Sequence, residues 1–189
     1  MKIISQVTIT PHEVTVNGKL LPSTESGAML LREIYKQHLA SYPKFFKMDT
    51  LCRLGYVASE LLLQHETPRR RDCDDRAVIL FNTSGSLAND VDYQRTIQDA
   101  DNCFPSPAVF VYTLPNIVTG EIAIANKYYG ETAFYLLPNC DQEVMRNTVE
   151  CTFAADATLT SAICGWLECR SADDFEAHLM LVEKGKPLP

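Results

Sequence analysis

The sequence predicts an α/β fold, a mixed sheet with helices on both faces, in a single domain over residues 1–189. Three observations predict it. Ala77-Val78-Ile79-Leu80-Phe81 is an unbroken apolar run, as a central strand covered on both faces requires. From Met48 to Gln64, Leu51, Leu54, Val57, Ala58, Leu61 and Leu62 recur at the three-and-four spacing of one buried helical face. Strand-like and helix-like stretches then alternate along the chain, the order that builds mixed or parallel sheets.

The elements follow in order. Ile3, Val7 and Ile9, then Val14 and Val16, then Leu20-Leu21 read as short strands, with Asn17-Gly18 as a tight turn because both residues tolerate positive φ. Met29–Leu39 reads as a short helix. Asp49 suits the positive end of the next helix, over 48–64. Thr67–Asp75 is a charged loop, and the strand at 77–81 runs into the small-residue loop Asn82-Thr83-Ser84-Gly85-Ser86. That position favours ligands in open α/β sheets, although the loop lacks the lysine and glycine spacing of a P-loop. Residues 87–100 read as a polar helix, 103–107 as a rigid connection, and 112–127 as a helix with Pro115 in its first turn. A strand at 132–137, a helix at 141–154, strands at 159–169 and 177–182, and an irregular tail with Pro187 and Pro189 complete the chain.

Composition excludes several functions. A formal net charge of −7 argues against a nucleic-acid surface, which needs clustered Lys and Arg. The one basic run, Arg69-Arg70-Arg71, is followed by Asp72, Asp74 and Asp75, so it reads as a solvated loop or as a docking patch for an acidic partner. No apolar run approaches the roughly 20 residues that span a bilayer. The first residues alternate like a strand, unlike a signal peptide, so a cytoplasmic location is expected. Seven cysteines, an odd number and without a C-x-x-C pair, indicate reduced thiols and no zinc site. Cys52, Cys151, Cys164 and Cys169 fall on apolar faces and read as small buried hydrophobes. His12, His38, His65 and His178 are scattered and read as surface or edge residues. Nothing in the sequence calls for a cofactor.

Two stretches carry a family resemblance. Ser106-Pro107 through Pro115-Asn116 to Gly120, continuing into Tyr128-Tyr129-Gly130-Glu131-Thr132, resembles the segment of β-ketoacyl synthases that leads into their nucleophile strand. Upstream, Phe45-Phe46-Lys47-Met48-Asp49 is similar to that family's Lys-Met-Asp helix start, and the strand at 77–81 with its Gly-Ser loop comes next in the same order. The match covers about residues 44–170. Residues 1–43 match weakly and read as a possible extra hairpin, and Gly120 as a site of close helix packing.

The resemblance implies one three-layer, thiolase-like half with a five-stranded mixed sheet. In this family a second half supplies the histidines that polarise the thioester, and this sequence corresponds to the first half alone. Aligning Gly130 with the family glycine puts the nucleophile position at Asn139, with Cys140 one residue out of register. A thiol at a helix N-terminus favours the thiolate, whereas Asp141 beside it opposes that. Cys140 is therefore the one candidate catalytic residue. The implied function is a ketosynthase-like accessory subunit of a fatty-acid, polyene or polyketide pathway, without complete condensing activity by itself. The alternative is a Cys140-dependent acyltransferase or thioesterase on carrier-bound acyl groups. The implied partners are a second copy or a full-length ketosynthase, paired through residues 132–137, and an acyl carrier protein.

Overall fold

The apolar run lies where the sequence puts it, in strand β4 (Arg76–Asn82), fully buried over Ala77–Asn82 between two parallel neighbours. The structure is a computed structural model that describes residues 1–39, 42–101 and 103–185. Pro187 and Pro189 lie outside the described residues. Strand β5 (Thr132–Leu136) flanks β4 on one side and β6 (Ser161–Cys169) on the other. Strand β7 (Phe175–Glu183) returns antiparallel along β6.

The sheet has seven strands, not the expected five. Strand β1 (Lys2–Ile9) pairs antiparallel with β7 from Lys2↔Glu183 to Ile9↔Ala177, and β2 (Val14–Val16) and β3 (Lys19–Leu21) extend it by a hairpin. The order is β3-β2-β1-β7-β6-β4-β5. The physical reason lies in Val7, Ile9 and Val14. All three are buried in the main core, which a separate hairpin could not offer them. The turn itself forms as expected, with Asn17 at φ 51° and Gly18 at φ 76°.

Helices cover the two faces unequally. On one face lie α1 (Gly27–Ile34), continued by a π-helical turn over Tyr35–Leu39, then α2 (Thr50–Leu62) and α5 (Ile117–Asn126). On the other lies α6 (Gln142–Ala155), whose Met145, Val149 and Phe153 pack on Ile79, Phe81, Cys164 and Trp166. Beside α6 the sheet floor of Phe81, Cys164, Met180 and Val182 stays open as a groove of about 600 Å³.

Two local expectations are corrected. The helix expected over 112–127 is broken. Pro107–Phe110 forms a short helix, α4, Val111–Thr113 a 3₁₀ turn, and α5 starts only at Ile117, bent by 101° from the preceding piece. Pro115 bars the helical conformation at Leu114, which is extended at φ −102°, ψ 112°. The basic run is not a solvated loop. Arg69 donates to Glu60 Oε1 and Asn126 Oδ1, both at 2.8 Å, and to the Leu63 carbonyl, while Arg70 pairs with Glu60 at 3.6 Å. Glu60 is buried on α2 and needs these cations.

Asp49 does more than sit near the dipole: its carboxylate accepts from the Cys52 amide at 2.9 Å and caps α2. Asp49→Ala should cost about 1 kcal/mol in chemical denaturation, and Asp49→Asn, which keeps the acceptor, much less.

Candidate functional site

Strand β5 forms one edge of the sheet, and its backbone shows which groups are left over. The Glu131 carbonyl accepts from Val78 and the Leu137 amide donates to Asn82, both at 2.8 Å. Odd-numbered residues therefore bond inward to β4, and the backbone groups of Thr132, Phe134 and Leu136 point to the free edge. The strand, Thr-Ala-Phe-Tyr-Leu, carries no charge, although exposed edges are commonly blunted by Lys, Pro or a bulge. Tyr135 and Leu136 are exposed.

Helix α5 adds to this flank. Its inner side packs on α2 through Val118 and Ile122, while Ile124 is 66% exposed. The expected close helix packing at Gly120 is absent, since a Cβ there would meet nothing within 4 Å. No described element of this chain approaches it. Gly130 differs: a Cβ would run into the Arg76 carbonyl, so the entry to β5 is packed too closely for a side chain.

Residues 83–101 and 103–116 run between β4 and α5 and are largely exposed, with Tyr112 anchored in the main core. Helix α3 (Leu87–Ile97) buries only Asn89, and the segment holds together through Asn89 Nδ2 donating to the Val109 carbonyl at 2.9 Å, Ser86 Oγ to the Thr113 carbonyl at 2.6 Å, and a Tyr93–Phe110 ring contact. Phe104, Phe110, Val111 and Leu114 remain exposed. The segment springs from Gly85, beside Leu136. A charge-free strand edge, an open helix flank and the exposed apolar residues Phe104, Phe110, Val111 and Leu114 have the composition of a protein-contact surface.

The loop at 82–86 is internally satisfied. Buried Glu168, at the end of β6, accepts from the Thr83 amide at 2.9 Å, from Ser84 Oγ and from the Cys169 amide, and Arg170 stands 3.8 Å away. Asn82 closes the turn through Gly85 N and O. A phosphate here would meet a carboxylate, which opposes the ligand-loop expectation. Nothing in the sequence singles out Glu168, because a carboxylate ending an apolar strand has no local signature. Glu168→Ala strands the Thr83 amide and should destabilise by about 1–3 kcal/mol, with Glu168→Gln recovering part of it.

Cys140 lies in the corner between β5 and α6, exposed and next to Asn139. Partial burial raises its thiol, the Gln142 amide at 3.5 Å lowers it, and Glu176 and Asp141 raise it further, with a net shift upward. The α6 cap is taken by Asp141, whose carboxylate accepts from the Glu143 and Val144 amides at 3.0 Å. The helix N-terminus thus serves Asp141 rather than the thiol. On the same sheet face His178 lies 3.5 Å from Glu176 and 3.4 Å from Thr8, an arrangement the sequence does not suggest. Glu176 is the shared neighbour, so a carboxylate whose charge opposes the thiolate stands near the thiol. Among the described residues no group of three or more His, Cys, Asp or Glu could hold a metal ion.

The other thiols divide by burial. Cys52, Cys73, Cys164 and Cys169 are buried, with burial pushing Cys164 and Cys169 to about 12. Cys151 is exposed on α6, against the expectation of a buried one. A thiol reagent at neutral pH should therefore modify Cys103, Cys140 and Cys151 in the folded protein and the remaining four only after unfolding. Rapid reaction of a fourth thiol would contradict the packing.

No protein-family model matches the sequence, and neither does any curated protein. Solved structures do. The ishigamide ketosynthase/chain length factor superposes with a TM-score of 0.70 at 18% identity, over 97% of this chain and 62% of that one. The fold is similar to that of ketosynthase/chain length factor proteins. The ketosynthase ApeO in complex with its chain length factor ApeC, from Xenorhabdus doucetiae, gives a TM-score of 0.61 at 14% identity, over 98% of this chain and 80% of that one. At these identities the likeness is one of fold. This chain spans less than two thirds of the ishigamide protein. No single helix among the described residues is long and apolar enough to cross a membrane.

Proposed function

We propose that this chain is a cytoplasmic, ketosynthase-like accessory subunit of a polyketide, polyene or fatty-acid type assembly system, paired with a ketosynthase-like partner through β5. The observation that carries this is the bare edge of β5. Its three outward residues carry no charge and no proline, and among the described residues no strand pairs with them. Strand addition by a second protein satisfies all of them at once. The two solved neighbours support the reading, since one is described as a ketosynthase in complex with its chain length factor and the other as a ketosynthase/chain length factor. Open space at Gly120 and exposed Ile124 would then take the partner's side chains.

In this reading the chain contributes walls rather than chemistry. The exposed apolar residues Phe110, Val111 and Leu114 suit a surface that shelters a growing acyl chain delivered by an acyl carrier protein. Cys140, with a raised thiol and an acid beside it, does not form the acyl-enzyme. An acyl-thioester should accordingly label Cys140 no faster than Cys103 or Cys151, and Cys140→Ala should leave assembly product unchanged. Selective acylation of Cys140 would instead favour an acyltransferase or thioesterase.

The pairing has its own test. Co-expressed with a ketosynthase of the same genome, the chain should co-elute with it in size-exclusion chromatography. Thr132→Pro and Leu136→Pro each remove one outward N–H while leaving the bonds to β4 intact, which edge strands tolerate. Each should weaken the pair about tenfold or more, the scale of a lost hydrogen bond plus the ring's obstruction. Unchanged co-elution of both variants would rule out β5 as the contact.

A further inference from the structure

We propose that the α6 face of the sheet carries an acyl-thioester hydrolysing site, with Thr8 as nucleophile, His178 as its base and the groove beside α6 seating the acyl chain. This goes beyond the pairing reading, in which condensation is left to the partner. Strand register assembles the polar groups. Thr8 on β1 pairs with His178 on β7, and His178 with Trp166 on β6. Glu176, two residues before His178, shares that face of β7. His178 Nε2 lies 3.5 Å from Glu176 Oε2, and Nδ1 lies 3.4 Å from Thr8 Oγ1. Glu176 is held in turn by Trp166, whose Nε1 donates to Oε1 at 3.2 Å. A carboxylate at Nε2 favours the tautomer protonated there, which leaves Nδ1 to accept from the Thr8 hydroxyl. Nucleophile, base and orienting acid thus stand in the order acyl transfer needs, at distances that tighten when substrate binds. His178 and Glu176 keep 46% and 40% of their side chains exposed, so a substrate reaches them.

The groove supplies the rest of the site. Met180 follows His178 on that face of β7, about 7 Å along the strand. It lines the groove of about 600 Å³ together with Ile3, Phe81, Val149 and Val182. An apolar seat of this size takes a medium-length alkyl chain, and its carbonyl end then lies toward His178. Gln6, two residues before Thr8 on the same strand face, is exposed and offers its carboxamide to the oxyanion. In the first step the Thr8 proton passes to Nδ1 as Oγ1 attacks the acyl carbonyl. The C–S bond breaks, and the leaving thiolate takes that proton from His178. Water then gives a proton to Nδ1 and attacks the Thr8 ester. The carboxylic acid leaves, and the proton returns to Oγ1.

The test follows hydrolysis of decanoyl- and acetyl-N-acetylcysteamine by chromatography, in a Cys140→Ala background that removes the corner thiol. The decanoyl thioester should be cleaved above the buffer rate, with kcat/KM about tenfold or more over the acetyl one. Thr8→Val and His178→Gln should each lower kcat about a hundredfold. Glu176 is a positioning residue: Glu176→Ala should lower kcat with KM unchanged, and Glu176→Gln, which keeps an oxygen for Nε2, should recover part of the loss. Ile3→Asp, at an exposed groove position, should raise KM for the decanoyl substrate and leave acetyl turnover alone. Mass spectrometry of acid-quenched protein should find a decanoyl ester on the peptide containing Thr8. Turnover no faster than buffer would overturn the proposal, and so would turnover that survives Thr8→Val or His178→Gln. Neither result bears on pairing through β5.

Discussion

A parallel strand at the end of a sheet leaves half of its backbone groups without a partner in its own chain. In β5 these belong to Thr132, Phe134 and Leu136, and most of what is unusual about the molecule is arranged around them. The strand cannot be moved inward, because β4 already lies between β5 and β6. It cannot be lifted away, because Gly130 is pressed against the Arg76 carbonyl and Phe134 packs on the main core. The edge is therefore fixed in place and presented, and the open flank of α5 is presented with it. Each unpaired group is satisfied by water in the isolated chain or by another strand in a complex.

The corner after β5 illustrates how the same fold can lose or keep a reactive group by small changes. A helix N-terminus can stabilise a thiolate, but here Asp141 accepts the free amides of α6 itself. Partial burial, with Glu176 and Asp141 adding negative charge beside Cys140, shifts the thiol up rather than down. The nearby His178 is turned to Glu176 and Thr8. Geometry and electrostatics both oppose a thiolate at this corner.

Much of the fold is legible in the sequence because its signals are local. The apolar run at 77–81, the spacing of Leu51, Leu54 and Leu61, and Asn17-Gly18 each form the element expected of them. What escapes is non-local. The extra sheet strands come from β1 finding β7 some 170 residues away, which no window of sequence contains. Arg69 looks solvated in the sequence because its acceptors, Glu60 and Asn126, lie on two separate helices. Pro115 could open a helix or break one, and the start of α5 at Ile117 shows the latter. The edge strand is legible as a strand.

Hydrogen exchange at the β5 amides tests the central claim most directly. In the isolated chain the amides of Thr132, Phe134 and Leu136 should exchange fast while those of Ala133 and Tyr135 are protected by β4. On binding the ketosynthase, the first three should slow by orders of magnitude. Binding that leaves those three amides exchanging at their free rate would show that the partner docks elsewhere, and the role given to β5 would be wrong.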